Sequence, residues 1–351
     1  MTAESEKTGT TSELANVRGD RRALDLLGSA LGPFIGLLLV LALFAAADYA
    51  RARAKGKKPT FASEATVQKI LRDASQVGVA ALGMTLIIIA GGIDLSAGAT
   101  ISLCATITAW FFRDNYPPVV GVSAGILVGC LAGLLNGFLI SGLRVVPFIV
   151  TLGTMTVFLG LGLILANDTP IRAFGKVPEW VLNLQNPYPT PEWLQVSSGV
   201  WVMAVLAGVV GMILKFSVFG RHVFALGSNE ATARLCGVSV TSVRIAVYTL
   251  AGFFVGVAGL FQFAILSGEG DPKSGMGKEL EIIAAVVIGG GSLNGGRGSV
   301  LGTLSGACIM AAILHGCVTL DIKTAYQKVI LGVIIVAAVT LDQIRQRRLA
   351  A

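Results

Sequence analysis

The sequence predicts an all-α polytopic membrane protein of about ten helices, and three observations carry that expectation. Of its 351 residues, 54% are hydrophobic and only 13% are charged, a balance outside the range of soluble globular domains. Apolar runs close to the roughly 20 residues that cross a hydrocarbon core of about 30 Å recur along the chain. Two glycine-rich interruptions, one in each half, repeat a common pattern.

In chain order, residues 1–26 form a polar tail with too little apolar surface to fold, expected to be disordered. Apolar spans then cover 27–47, 68–90, 95–112, 119–142 and 146–166. Residues 167–198 carry Pro170, Pro178, Pro187, Pro189 and Pro191 among Trp180, Tyr188 and Trp193. That spacing of prolines forbids a long regular helix, and the aromatics suit a membrane interface, so an external loop is expected. The second half places spans at 199–214, 245–266, 281–290, 300–319 and 326–341. The eighth is too short to cross as one straight helix and reads as half a span closing on Gly289–Gly291. Residues 27–345 thus form one transmembrane domain, with a polar segment at 215–244 and a short tail at 346–351.

The net charge of +7 comes from bases scattered through loops, not from one stripe interleaved with aromatics, so nucleic acid is not an expected partner. Topology accounts for it better. Arg221, His222, Arg234 and Arg244 follow the sixth span and Arg345, Arg347 and Arg348 follow the last, which puts both regions in the cytoplasm. Counting back through ten spans places both termini inside, with Arg18, Arg21 and Arg22 ahead of the first span and the loops of Arg144 and Arg297 inside too. Arg51, Arg53, Lys55, Lys57 and Lys58 run against this scheme, since they would lie outside. Arg21, Arg22 and the small residues Ala45–Ala47 also resemble a secretory signal, but the run is long for one and is read as a retained helix.

The two interruptions are IIIAGGIDLSAGATISL, residues 87–103, and VVIGGGSLNGGRGSVLGTL, residues 286–304. Each is an apolar run, a glycine pair or triplet, a polar position and a second apolar run. Backbone that leaves the helix in lipid must be buried in protein or face water, and glycine makes such breaks sterically easy. Paired breaks in corresponding halves point to a path between internal repeats. Gly91, Gly92, Asp94, Ser96, Gly290, Gly291 and Asn294 are therefore candidates for the path or the break. Taken singly, most of these glycines need only serve close helix packing. Asp94 is expensive among apolar neighbours unless it meets water or a partner. Its carboxylate is expected to anchor the break by accepting hydrogen bonds from backbone amides such as those of Ser96 and Ala97, with substrate contact as the competing role. Asn136, Gln262 and His315 are expected to bridge helices.

Catalytic chemistry is not encoded in any recognisable form. Two histidines provide neither a metal cluster nor a nucleophile and base. Cys104, Cys130, Cys236, Cys308 and Cys317 contain no CxxC pair and read as small hydrophobes. GEGDPKSG from Gly268 and GGGSLNGGRGS from Gly289 both lack the ending of a phosphate loop. ATP, if it drives this protein, is hydrolysed on another chain.

The stretch GRHVFALGSNEATARLCGVSV, residues 220–240, is too polar for its surroundings. Ser228 is expected to cap a helix from Asn229 to about Cys236, with Glu230 in the first turn and Gly237 ending it. Ala231 and Leu235 share a face, and so short a helix has to dock onto something. A solvated connector is the bland alternative; a rigid element that couples a cytoplasmic partner to the spans is the functional one.

That stretch resembles the cytoplasmic coupling segment of the ribose-type sugar permeases of ATP-binding-cassette importers, in the branched-chain amino acid and sugar permease superfamily. GMTLIIIAGGIDLSAGATISL from Gly83, VPFIVTLGTM from Val146 and ELEIIAAVVIGGGSLNGGRGSVLGTLSGA from Glu279 are similar to further stretches of that family, over roughly residues 65–345. The resemblance implies the ten-helix plan of the cobalamin-type, or type II, importers, with a second identical or related permease copy beside a central path. It further implies a bacterial inner-membrane location, an ATPase subunit that carries the nucleotide-binding domains with ATP and magnesium, no cofactor on this chain, and an extracytoplasmic binding protein that delivers a sugar. The coupling residues implied are Gly220, Arg221, Gly227, Asn229, Glu230, Ala231, Arg234 and Gly237. Asp94 motivates the rival expectation of an ion-coupled secondary sugar transporter acting alone.

Overall fold

The computed structural model describes residues 31–188 and 195–350. Helix α1 (Leu31–Ala54) leads into α2 (Glu64–Ile89), α3 (Ala97–Arg113), α4 (Pro118–Leu143) and α5 (Pro147–Ala166). A two-residue strand β1 (Ile171–Arg172), the short helix α6 (Glu179–Leu182) and a 3-10 turn at Asn183–Gln185 follow. The second half holds α7 (Ser198–Phe216), α8 (Val218–Ser228), α9 (Glu230–Leu235), α10 (Val240–Ile265), β2 (Glu269–Gly270), α11 (Lys278–Ile288), α12 (Val300–Thr319) and α13 (Thr324–Ala350).

Each expected span holds one of these helices. By length and composition, seven helices of the described residues can cross a membrane: α1, α2, α4, α5, α7, α10 and α12. The shortfall from ten lies in α3, with 17 residues, in α13, whose apolar part is only Thr324–Thr340, and in α11, with 11, the half span anticipated from the glycine run. The expected tail at 346–351 is helical through Ala350, because no glycine or proline follows Gly332 to stop α13. The tail at 1–26 lies outside the described residues.

α2 is the central post, with 89% of its most apolar window inside the protein, whereas α1 has 11% and sits at the edge. α12 runs antiparallel to α2, with His315 beside Asp73 at one end and Thr303 beside Thr85 nearer the other. α1 lies parallel to α12, Gly36 meeting Ile309 and Phe44 meeting Gly316. A close helix crossing joins α4 and α10. A Cβ on Gly129 would lie 2.7 Å from the Cα of Gly256, and one on Gly133 would lie 3.0 Å from that of Gly252. Small residues four apart let the two backbones touch, the packing that substitutes for hydrophobic burial inside lipid.

The loop 167–198 is tied down more firmly than its prolines suggest. β1 pairs antiparallel with β2 in the register Ile171 to Gly270 and Arg172 to Glu269. From β2 the chain turns back along α3, where the Gly275 amide donates to Ser102 Oγ at 2.7 Å, before α11 begins. Pro189, Pro191 and Trp193 lie outside the described residues.

The basic run 51–58 is also held in place. Asp48 Oδ2 accepts the Thr60 and Phe61 amides at 2.6 and 2.8 Å. Arg51 donates to the Thr319 carbonyl at 3.0 Å and pairs with Asp321. This run therefore sits with the end of α12, at the opposite end of the bundle from α8 and α9.

Candidate coupling site

The two glycine interruptions are a matched pair of helix caps. At the end of α2, Gly91 N donates to Ile88 O at 3.0 Å and Gly92 N to Ile87 O at 2.9 Å, with Gly91 at φ +79°. At the end of α11, Gly290 N donates to Val287 O at 2.9 Å and Gly291 N to Val286 O at 2.8 Å, with Gly290 at φ +90°. This is the Schellman arrangement, in which the amide of a left-handed residue and the amide after it satisfy the last carbonyls of the helix. Both interruptions are therefore turns at helix ends, and the repeated sequence pattern is a repeated backbone geometry.

The two caps meet. The Gly296 amide, in the loop after α11, donates to the Ile89 carbonyl at 2.9 Å. A Cβ at Gly227, near the end of α8, would collide with that same carbonyl oxygen. One on Gly295 would lie 3.0 Å from the Cα of Gly91. Three chain segments, the end of α2, the end of α8 and the loop after α11, thus converge with no room for a side chain. Gly290 and Asn294 stay exposed at the surface of this cluster, while Gly92 and Gly291 are buried.

Asp94 lies just beyond the first cap and is only 6% exposed. Its Oδ1 accepts both the Ser96 amide at 2.8 Å and the Ser96 hydroxyl at 2.6 Å. Ser96 Oγ accepts from Asn136 Nδ2 at 2.8 Å, and Asn136 Oδ1 accepts from Thr154 Oγ1 at 2.7 Å. The chain of bonds fastens the start of α3 to α4 and α5. The remaining bridges have the expected form: Gln262 pairs with Gln76 at 2.5 Å and His315 with Asp73 at 2.8 Å.

The polar stretch after the sixth span is an elbow of two helices. α8 was not visible in the sequence pattern. It begins after Ser217, whose hydroxyl caps the Gly220 amide at 2.9 Å, and Gly220 packs directly on the last turn of α7. The cap of α9 is Asn229, not Ser228: Asn229 Oδ1 accepts the Thr232 amide at 2.9 Å. Ser228 is the last residue of α8, and its hydroxyl turns back to the Phe224 carbonyl at 2.8 Å. An extended Asn229, with φ −162° and ψ 104°, separates the two helices and leaves its side chain free to cap. Gly237 ends α9 as expected, at φ +84°, with the same cap bonds from Gly237 to Arg234 and from Val238 to Ala233, each 3.1 Å.

Glu230 clasps the elbow to the transmembrane bundle. Its Oε2 meets Arg244 of α10 at 2.7 Å and its Oε1 meets Arg234 at 2.9 Å. The Arg244 guanidinium, and after it that of Arg234, hold the carboxyl below the usual carboxylate range. Ala233 is the residue α9 buries inward, whereas Ala231 and Leu235 face out, Leu235 at 88% exposure. Arg221, Asn229 and Arg234 are exposed on the same elbow. Arg244, and the contact of Gly227 with α2, are the parts of this site that sequence reasoning missed, because each depends on a partner far away in the chain.

The family model described as branched-chain amino acid transport system / permease component matches residues 66–339. This chain belongs to that family. The permease is 34% identical to the ribose import permease protein RbsC of Bacillus subtilis, over 89% of this chain and 92% of the relative. It is 35% identical to the fructose import permease protein FrcC of Rhizobium meliloti, over 81% and 79%. It is 32% identical to the L-arabinose ABC transporter permease protein AraH of Azospirillum brasilense, over 83% of each. No solved structure matches the chain. The matched span contains both caps, the elbow and the clasp, so the whole site belongs to the part of the permease it shares with its family.

Proposed function

We propose that this permease is the membrane subunit of an ATP-binding-cassette importer for a sugar of the pentose or hexose class, and that its α8–α9 elbow receives a separate ATPase subunit. The supporting observation is the convergence of Gly227, Gly296 and Ile89, through which a push on the elbow meets the ends of α2 and α11 without an intervening side chain. The outward Leu235 and Ala231, with Arg234 between them in sequence, offer a small apolar contact beside a charge. ATP and magnesium act on the partner, and the chain brings no catalytic group of its own.

The elbow then lies in the cytoplasm of a bacterial inner membrane, with both termini on that side and ten helices in the cobalamin-importer plan. A second copy or a related permease completes the central path. The loop 167–198, with Trp180 half exposed, faces the opposite side, where an external binding protein delivers the sugar. The Asp94 carboxylate is committed to Ser96, which supports an anchor and not the ion-coupled alternative.

Purification from the native membrane, followed by assay with sugar-loaded external protein, tests the proposal. An ATPase that co-elutes and whose hydrolysis rises with the loaded protein is expected. Sugar uptake by the lone chain in liposomes, driven by a proton or sodium gradient without ATP, would overturn it.

A further inference from the structure

A second polar cluster lies among the transmembrane helices, away from the elbow. Lys278 is the first residue of the half helix α11, and its Nζ donates to Gln76 Oε1 of α2 at 3.1 Å. Gln76 Nε2 in turn donates to Gln262 Oε1 of α10 at 2.5 Å. Gln76 is 2% and Gln262 5% exposed, so three separate elements bring polar groups to one buried point.

It lies midway along α2 and three residues from the end of α10, beside Ser75, which accepts from Gln185 Nε2 of the loop 167–198 at 3.1 Å. Gln76 lies about 20 Å along α2 from Ile89, and Lys278 about 15 Å along α11 from Ile288, at 1.5 Å per residue. An ionisable side chain among transmembrane helices is costly and marks a pathway more often than a packing element. The single bond between the glutamines leaves Gln76 Oε1 to be satisfied, and the Lys278 ammonium supplies that donor. Lys278 carries three donors, of which Gln76 takes one. Its surroundings are open on one side: Lys278 and Glu279 are half-buried, and the neighbouring Met276 and Leu280 are 65% and 46% exposed. The next residue, Glu279, turns its carboxylate to the start of α3 beside Gly98, accepting the Gly277 amide at 3.2 Å. Amides and an ammonium at one point, with Glu281 as the carboxylate nearest the ammonium's charge, are the donors and acceptors that a neutral polyhydroxylated solute exchanges for water.

We infer that Lys278, Gln76 and Gln262 form the contact point for sugar hydroxyls on the translocation path. This rests on the sugar-import reading, and it makes these three residues determinants of which sugar passes, in addition to whatever selects it outside.

The permease, reconstituted with its ATPase and binding protein, is tested with D-ribose, D-fructose and L-arabinose, comparing wild type with Lys278→Met and Gln262→Leu. Uptake of the transported sugar is expected to fall by about tenfold or more while binding-protein-stimulated ATP hydrolysis is retained, since the elbow is untouched. Unchanged uptake overturns the inference, and so does a parallel loss of uptake and hydrolysis, which marks a structural bridge. Wild type that takes up none of the three while its ATPase responds to a binding protein loaded with a solute other than a sugar removes the sugar reading itself, and the inference with it.

A labelling measurement covers variants that fold poorly. In a Cys236→Ser background, Lys278→Cys is expected to react with a charged, water-soluble thiol reagent during turnover, while Ala284→Cys, fully buried on the same helix, does not. Equal protection of the two positions overturns the inference.

Discussion

Glu230 and Arg244 join the elbow to the transmembrane bundle: the carboxylate of α9 meets the guanidinium of α10 at 2.7 Å, with Arg244 only 19% exposed. The pair spans from a short surface helix to one that crosses the membrane, so it fixes the angle at which a partner would meet the permease. An ion pair that is still partly solvated, as Glu230 is here, contributes little to global stability, about 0–1 kcal/mol. Its effect is on geometry.

Arg244→Ala is therefore expected to leave the permease folded yet reduce sugar uptake per ATP hydrolysed by about 5–30-fold, the ratio that one or two kcal/mol commands. Glu230→Gln acts in the same direction and also weakens the bond to Arg234, so the double variant is no worse than Glu230→Gln alone, because Arg244→Ala then removes a contact that is already weakened. Additive losses in uptake and ATPase association would show that the residues act separately.

The clasp also sets a pH dependence. Glu230 has its folded-state pKa lowered by Arg244 and Arg234, so its contribution is complete above the ordinary carboxylate range and is lost as pH falls through the lowered value. ATPase association, followed in detergent, is expected to be flat near neutral pH and to weaken only in acid. Glu230→Gln should remove this component of the acid response.

Gly227→Ala tests the convergence of the three segments. A methyl group there collides with the Ile89 carbonyl, so backbone has to move and a cost of about 1–3 kcal/mol follows. Gly211→Ala, on the neighbouring α7, meets nothing within 4 Å and serves as the control. Thermal unfolding in detergent should separate the two, and uptake should fall only for Gly227→Ala.

Asp94→Asn keeps an oxygen able to accept from Ser96, whereas Asp94→Ala does not. The first is expected to retain uptake within a few-fold, and the second to lose about 1–3 kcal/mol of stability through the donors left behind. Abolished uptake in a stable Asp94→Asn protein would require the negative charge itself and would revive a gradient-driven mechanism.

Much of this fold was legible because lipid imposes length and apolarity on every span. The half span ending in Gly289–Gly291 and the helix stop at Gly237 were both readable, since each follows from a local rule. The pattern shared by residues 87–103 and 286–304 was visible as well, and the structure gives each interruption the form of a cap at a helix end. α8 escaped notice because its polar and apolar residues alternate too briefly to stand out beside α7. Ser228 and Asn229 are both good caps, and only the extended backbone of Asn229 decides between them. The Glu230 clasp, the Gly227 contact and the Lys278 cluster pair residues 14 to more than 200 positions apart, a separation at which one sequence carries no local signal.

The most direct test of the central claim is a photo-crosslinking residue placed at Leu235, outermost on the elbow, and activated in native membranes. An adduct with an ATPase subunit, diminished in Arg244→Ala, is the predicted result. Efficient crosslinking to lipid or to no protein, with sugar uptake intact, would contradict a coupling role for α8 and α9.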